Sequence, residues 1–136
     1  MPALASSALV YAALLAVAPR AGAAAAPVAP PSRGEIVFAR ACAACHSVDA
    51  KVTIGSGPNL AGVAGRPAAS LPGYGYSEAM ARARDKSNWV WSDLALEYFL
   101  TDPEAVIPHT AMSTPGLEDP ADRSAVIQFL KTHPAR

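Results

Sequence analysis

The feature that most constrains this chain is the run Cys42-Ala43-Ala44-Cys45-His46. Two thiols three positions apart can reach the two vinyl groups on one edge of a porphyrin. Each adds across its vinyl to give a thioether. The residue that follows, His46, is carried beneath the ring, where an imidazole nitrogen can bind iron. Cys-x-x-Cys-His is accordingly the attachment sequence of a c-type haem. The same residues admit two other readings, a zinc knuckle and a thioredoxin-like redox pair. Zinc asks for a second pair of ligands, and the chain has only these two cysteines. A thioredoxin-like pair asks for a βαβ context, and no such pattern is visible. One covalent haem c, attached through Cys42 and Cys45 with His46 as an iron ligand, is the reading the motif supports.

At 136 residues the chain has the length of one domain. Its formal net charge of zero argues against nucleic acid as a partner. Thirteen prolines and nine glycines suit a loop-rich fold wrapped around something. Residues 1–26 read as an export signal, with a short apolar core from Leu9 to Ala18 and small residues from Ala21 to Ala26. The basic n-region usual in such signals is missing. The alternative is an uncleaved anchor, although the run between Pro2 and Pro19 is shorter than the roughly 20 apolar residues of a spanning helix. Residues 27–33 read as a proline-alanine linker, and 34–136 as the functional domain. Export places the mature chain in the periplasm, where haem is attached to proteins of this type. Two cysteines there would otherwise suggest a disulfide; here they are expected to be consumed as thioethers.

Along the chain, Ser32 and Glu35 match a capping box opening a helix from Gly34 to about Cys42. Residues 47–76 show no sustained periodicity and contain turn-rich segments at 55–60 and 62–66. The Pro58 carbonyl is placed to accept from His46 and so to fix its tautomer. Ser77 caps a short helix, Glu78 to Arg84, followed by a basic face (Arg82, Arg84, Lys86) read as solvated. Ser92 caps the next helix, Asp93 to Thr101, and Asp102-Pro103 restarts a single turn. Asp119-Pro120-Ala121-Asp122 starts the last helix, with Val126, Phe129 and Leu130 on its buried face. The loop Ile107-Pro108-His109-Thr110-Ala111-Met112 carries the strongest candidate for a second iron ligand, a soft thioether that raises the reduction potential. Taken alone, a loop methionine is more often packing.

Together these motifs resemble the class I c-type cytochromes, the small soluble monohaem cytochromes c of the bacterial and mitochondrial type. The resemblance covers about Gly34 to Thr132. Gly34 and Phe38 ahead of the haem motif match the family's first helix. Gly57-Pro58-Asn59-Leu60 matches the loop whose proline carbonyl orients the haem histidine. Gly65-Arg66 and Gly73-Tyr74-Gly75-Tyr76-Ser77 resemble the segment over the haem propionates. Leu100-Thr101-Asp102-Pro103 with Ile107 to Met112, Thr110 included, resembles the methionine-ligand loop. The resemblance implies an all-α cytochrome c fold of three to five helices and long loops around one haem. It implies His46 and Met112 as the two iron ligands, ahead of Met80, His109 and His133. It also implies propionate contacts from Arg66, Tyr74, Tyr76 and Trp91, with Trp89 left to surface or packing, and Phe129 near Gly34 and Phe38.

Four positions depart from the family pattern. His109 stands where glycine is usual, Phe99 where a tyrosine often bonds the ligand sulfur, and Met80 where asparagine is frequent. Glu104, Ala105 and Ala111 stand where the family often rings the haem edge with lysines, which predicts weak electrostatic steering. The implied function is one-electron transfer, non-enzymatic, between a redox donor and acceptor that dock transiently at the exposed haem edge, with membrane contact only through partner complexes unless residues 1–26 stay attached. Two alternatives remain: a subunit dedicated to a periplasmic dehydrogenase, and a haem protein with an open distal site that binds gas or peroxide.

Overall fold

The structure is a computed structural model and describes residues 29–52 and 56–135. The export signal expected at 1–26 lies outside the described residues. Five helices follow in order: α1 (Arg33–Ala41), α2 (Glu78–Ser87), α3 (Asp93–Thr101), α4 (Pro103–Val106) and α5 (Pro120–Lys131). Among the described residues, β pairing is limited to one antiparallel bridge between Pro67 and Val90. Long loops take up the rest, as expected of a chain whose core is completed by a cofactor.

Local chemistry sets the helix ends. The Ser32 hydroxyl accepts from Glu35 N–H at 3.2 Å, and the Glu35 carboxylate accepts in return from Ser32 N–H at 2.9 Å, satisfying two donors the first turn leaves free. Ser77, Ser92, Asp102 and Asp119 cap the other four helices one way only, each side chain accepting a backbone N–H of the first turn. α2 runs three residues beyond the expected Arg84, because Asn88 ends it in the left-handed conformation at φ 45°. Asparagine tolerates that geometry better than most residues.

α1 and α5 form the main helix crossing. A β-carbon on Gly34 would lie 2.7 Å from that of Phe129 and would collide with the Ala125 carbonyl. Glycine is therefore required by the approach of the two backbones and outweighs its helix penalty. The Phe38 and Phe129 rings meet at the crossing with centroids 5.2 Å apart. At its edge Asp122 is paired with both Arg33 and Arg40, and Arg33 also reaches Asp119 at 2.5 Å. Val37, Val126, Ile127 and Leu130 form one end of the core. Trp91, Leu96, Phe99 and Ile107 continue it toward the loops.

Candidate functional site

α1 delivers the haem motif to the core. Cys42 is its C-cap, bonded to Phe38 O at 2.9 Å, and Cys45 N–H and His46 N–H then both turn back onto Cys42 O at 3.0 and 2.9 Å. This tight turn holds the two thiols and the imidazole in fixed order. Neither cysteine is in a disulfide. Cys42 is half-buried against the core and Cys45 is exposed. Burial pushes the Cys42 thiol up to about 11, so it stays protonated at neutral pH.

The loop after the motif clamps His46. Its Nδ1 lies 2.8 Å from the Pro58 carbonyl oxygen. A carbonyl can only accept, so Nδ1 carries the proton and Nε2 keeps its lone pair. Gly57 closes the other side: a β-carbon there would sit 2.5 Å from His46 Cε1 and 2.6 Å from Nδ1. Asn59 braces the loop through its amide, donating to Asp49 O and Val52 O at 2.7 Å each while its oxygen accepts from Ala61 N–H at 2.8 Å.

Met112 is half-buried and packs on the same core cluster as Cys42. Its N–H donates to the Thr110 hydroxyl at 3.3 Å, and Thr110 N–H donates to Ile107 O at 3.0 Å. Phe99 is buried and Met80 partly buried against that cluster. His133 lies just past the end of α5, with its Nδ1 2.8 Å from Phe129 O and its ring 4.3 Å from the Phe129 ring.

The family model for cytochrome c matches residues 31–134. The chain is 46% identical over 91 residues to cytochrome c2 iso-2 of Magnetospirillum fulvum, covering 67% of this chain and 90% of that protein. It is 41% identical over 102 residues to cytochrome c2 of Rhodomicrobium vannielii, covering 75% and 78%. Among solved structures it is similar to cytochrome cH from Methylobacterium extorquens, with a TM-score of 0.65, 38% identity, and coverage of 74% of this chain and 95% of that one. The chain belongs to the cytochrome c family. It is a haem-based one-electron carrier with the cytochrome c fold, and the alternative of a subunit dedicated to a periplasmic dehydrogenase is not favoured.

The donor set of this cytochrome c suits a covalent haem. It offers two free thiols, an imidazole with its Nε2 lone pair available, and a thioether. Arg66 adds a second indication. Its guanidinium is half-buried and donates to Ala61 O at 3.0 Å and Asn59 O at 3.2 Å. Burial lowers its affinity for the proton, partly offset by Tyr76, and among the described residues no carboxylate pairs with it. A partly buried cation without an anion suits a propionate.

The other expected propionate contacts divide. The Tyr76 hydroxyl accepts from Leu71 N–H at 3.3 Å, which leaves its hydrogen free. Trp91 is buried, edge-on to Phe99 at 5.0 Å, with its backbone bonded to Arg66 O and Gly65 N. The Tyr74 hydroxyl donates to Ser56 O at 2.8 Å and so latches the two loops together. Trp89 packs inward, its Nε1 buried without a hydrogen-bond partner and its ring 6.0 Å from that of Trp91 at 75°. Sequence reasoning missed Gly57 and Asn59 as supports of His46. The Gly57-Pro58-Asn59 run marks a turn, but only the folded chain shows what the turn packs against.

Proposed function

We propose that this cytochrome c carries one haem, bound through thioethers to Cys42 and Cys45, with His46 Nε2 and the Met112 sulfur as its two iron ligands. The observation that carries this reading is the 2.8 Å contact between His46 Nδ1 and Pro58 O. It fixes one tautomer, orients the free nitrogen and raises its basicity. When bound, the haem supplies a one-electron Fe(III)/Fe(II) couple. The chain's own residues do the rest. His46 and Met112 would supply both of the iron's protein ligands, leaving no opening for oxygen or another substrate, and the chain would act as a carrier rather than an enzyme. Rigid ligands on both sides mean that little reorganises when the charge changes. Arg66, Tyr76 and Trp91 receive the propionates. Phe99 and Met80, packed against the core, keep the distal side dry and so favour the less charged ferrous state.

The domain is proposed to follow an export signal at 1–26 and a linker, and to work in the periplasm; Ser32 and Arg33, expected in that linker, are instead the cap and first residue of α1. No helix among the described residues is long and apolar enough to cross a membrane. Its partners are a redox donor and acceptor that dock transiently at the haem edge beside Cys45, which is exposed. A Met112→Ala variant tests the ligand assignment. It should keep covalent haem but lose the far-red sulfur-to-iron absorption of the ferric protein and bind carbon monoxide rapidly when reduced. Retention of that band would show that Met112 is not the ligand.

A further inference from the structure

The loop carrying Met112 contains a strained corner whose support comes from outside the loop. His109 has φ +65°, a left-handed conformation disfavoured for residues with a β-carbon. Its N–H donates to Glu104 Oε1 at 2.9 Å. The neighbouring donors use nearby uncharged acceptors: Ile107 N–H reaches Pro103 O at 2.9 Å, Thr110 N–H reaches Ile107 O at 3.0 Å, and Met112 N–H reaches Thr110 Oγ1 at 3.3 Å. Glu104 belongs to α4, a single turn fixed by Pro103 at its start and by the Asp102 carboxylate accepting from Ala105 N–H at 3.0 Å. Beyond Met112 the chain is tied down again. Leu117 N–H bonds Leu100 O at 2.8 Å, and Gly116 lies so close to the Thr101 carbonyl that a β-carbon would not fit. Both ends of the loop are therefore anchored on α3 and α4, and the strained corner between them, closed by the Ile107–Thr110 turn bond, is tied to α4 by one carboxylate.

We infer that Glu104 is a positioning residue for the Met112 sulfur, acting through the His109 corner; this rests on the reading of Met112 as the distal ligand. A carboxylate bonded to a backbone N–H is stronger than a neutral pair. Glu104 and His109 are both exposed, so water can solvate the freed groups and global stability is little affected. What changes when the bond is lost is the corner's hold on the loop, and with it the ease with which another ligand displaces the sulfur.

The test uses the purified, haem-loaded full chain in the ferric state, titrated with imidazole while the far-red sulfur-to-iron band is followed. Glu104→Ala should be displaced at roughly three- to tenfold lower imidazole than the wild type, with haem content and thermal midpoint unchanged. Glu104→Gln keeps an oxygen that can accept but loses the charge, and should fall between alanine and the wild type. Glu104→Asp keeps the charge but is one methylene short, and should behave like alanine. In a His109→Gly background, where the left-handed corner costs nothing, removing the Glu104 carboxylate should matter less. Equal imidazole affinity in wild type and Glu104→Ala, or equal shifts in the two backgrounds, overturns the inference. Met112→Ala separates the two levels: a retained band sinks the ligand assignment, whereas a lost band beside a neutral Glu104→Ala sinks only the role of Glu104.

Discussion

The imidazole of His46 is gripped between a carbonyl and a residue with no side chain, and each half of that grip has its own consequence. Pro58 decides which nitrogen carries the proton. Gly57 decides whether the ring can lie against the loop at all, since any β-carbon there would stand 2.5 Å from Cε1. The backbone on both sides is held, with Gly57 N–H on Cys45 O at 3.0 Å, so the clash cannot be relieved by a free loop shift. Gly57→Ala should therefore cost about 1–3 kcal/mol of stability, the usual range for an overpacked site. It should also raise the reduction potential as the His46–Pro58 bond lengthens, because an imidazole that donates less strongly stabilises the ferric state less. Denaturant melts and a potentiometric titration of the haem-loaded variant check both. An unchanged midpoint in each would mean that the loop yields more readily than its hydrogen bonds suggest.

At the scale of helices, the α1–α5 crossing combines a steric condition at Gly34 with an electrostatic one at Asp122. Hydrogen bonding to Arg33, and the nearby charges of Arg33 and Arg40, hold the Asp122 carboxyl below the usual carboxylate range against an opposing effect of burial. A carboxyl depressed in the folded state contributes stability that is present above its unfolded value, about 3.9, and is lost as pH falls through the lower folded value. Asp122→Asn should thus unfold at lower denaturant than wild type at pH 7, with the gap closing as the pH falls below the unfolded value of about 3.9. A gap independent of pH would show that Asp122 acts by shape alone. The starts of these helices were legible in the sequence, because a cap is a local device. Ser32 with Glu35, Ser92, Asp102-Pro103 and Asp119-Pro120 announce them without tertiary help. The end of α2 was not read, since it depends on Asn88 taking a left-handed turn that a longer helix could equally have absorbed. Cys42, Cys45 and His46 stood out because their spacing is itself the chemistry. The partners of Tyr74, Trp89, Asn59 and Glu104 did not, because each is set by a loop whose path the flanking residues do not encode.

Over the whole molecule, charge is spent internally. The formal net charge is zero, and most of the arginines within the described residues are committed. Arg33 and Arg40 are paired with acids on or beside α5, Arg82 with Glu78, Arg84 with Asp85, and Arg123 with Glu97; Arg66 is turned onto backbone carbonyls. Around the haem motif and the methionine loop the sequence offers Ala44, Ala105 and Ala111, all exposed, and Glu104 is already engaged by the backbone. Such an edge has little field to attract or repel an approaching reagent. Reduction by ferrocyanide and by hexaammineruthenium(II), which carry opposite charges, should therefore respond weakly to salt. Each rate should stay within roughly twofold, beyond the salt effect on the reagent's own driving force, as ionic strength rises from about 0.01 to 0.15 M, where the Debye length shrinks from about 30 to 8 Å. A lysine-ringed edge would instead slow the anion steeply and speed the cation over the same range. If that opposite pair of slopes appears, Lys51 and Lys86 lie closer to the electron's exit than their sequence neighbours suggest, and partner docking is electrostatic after all. If both slopes are flat, recognition must come from shape and apolar contact, which places partner choice in the dissociation rate rather than in the encounter.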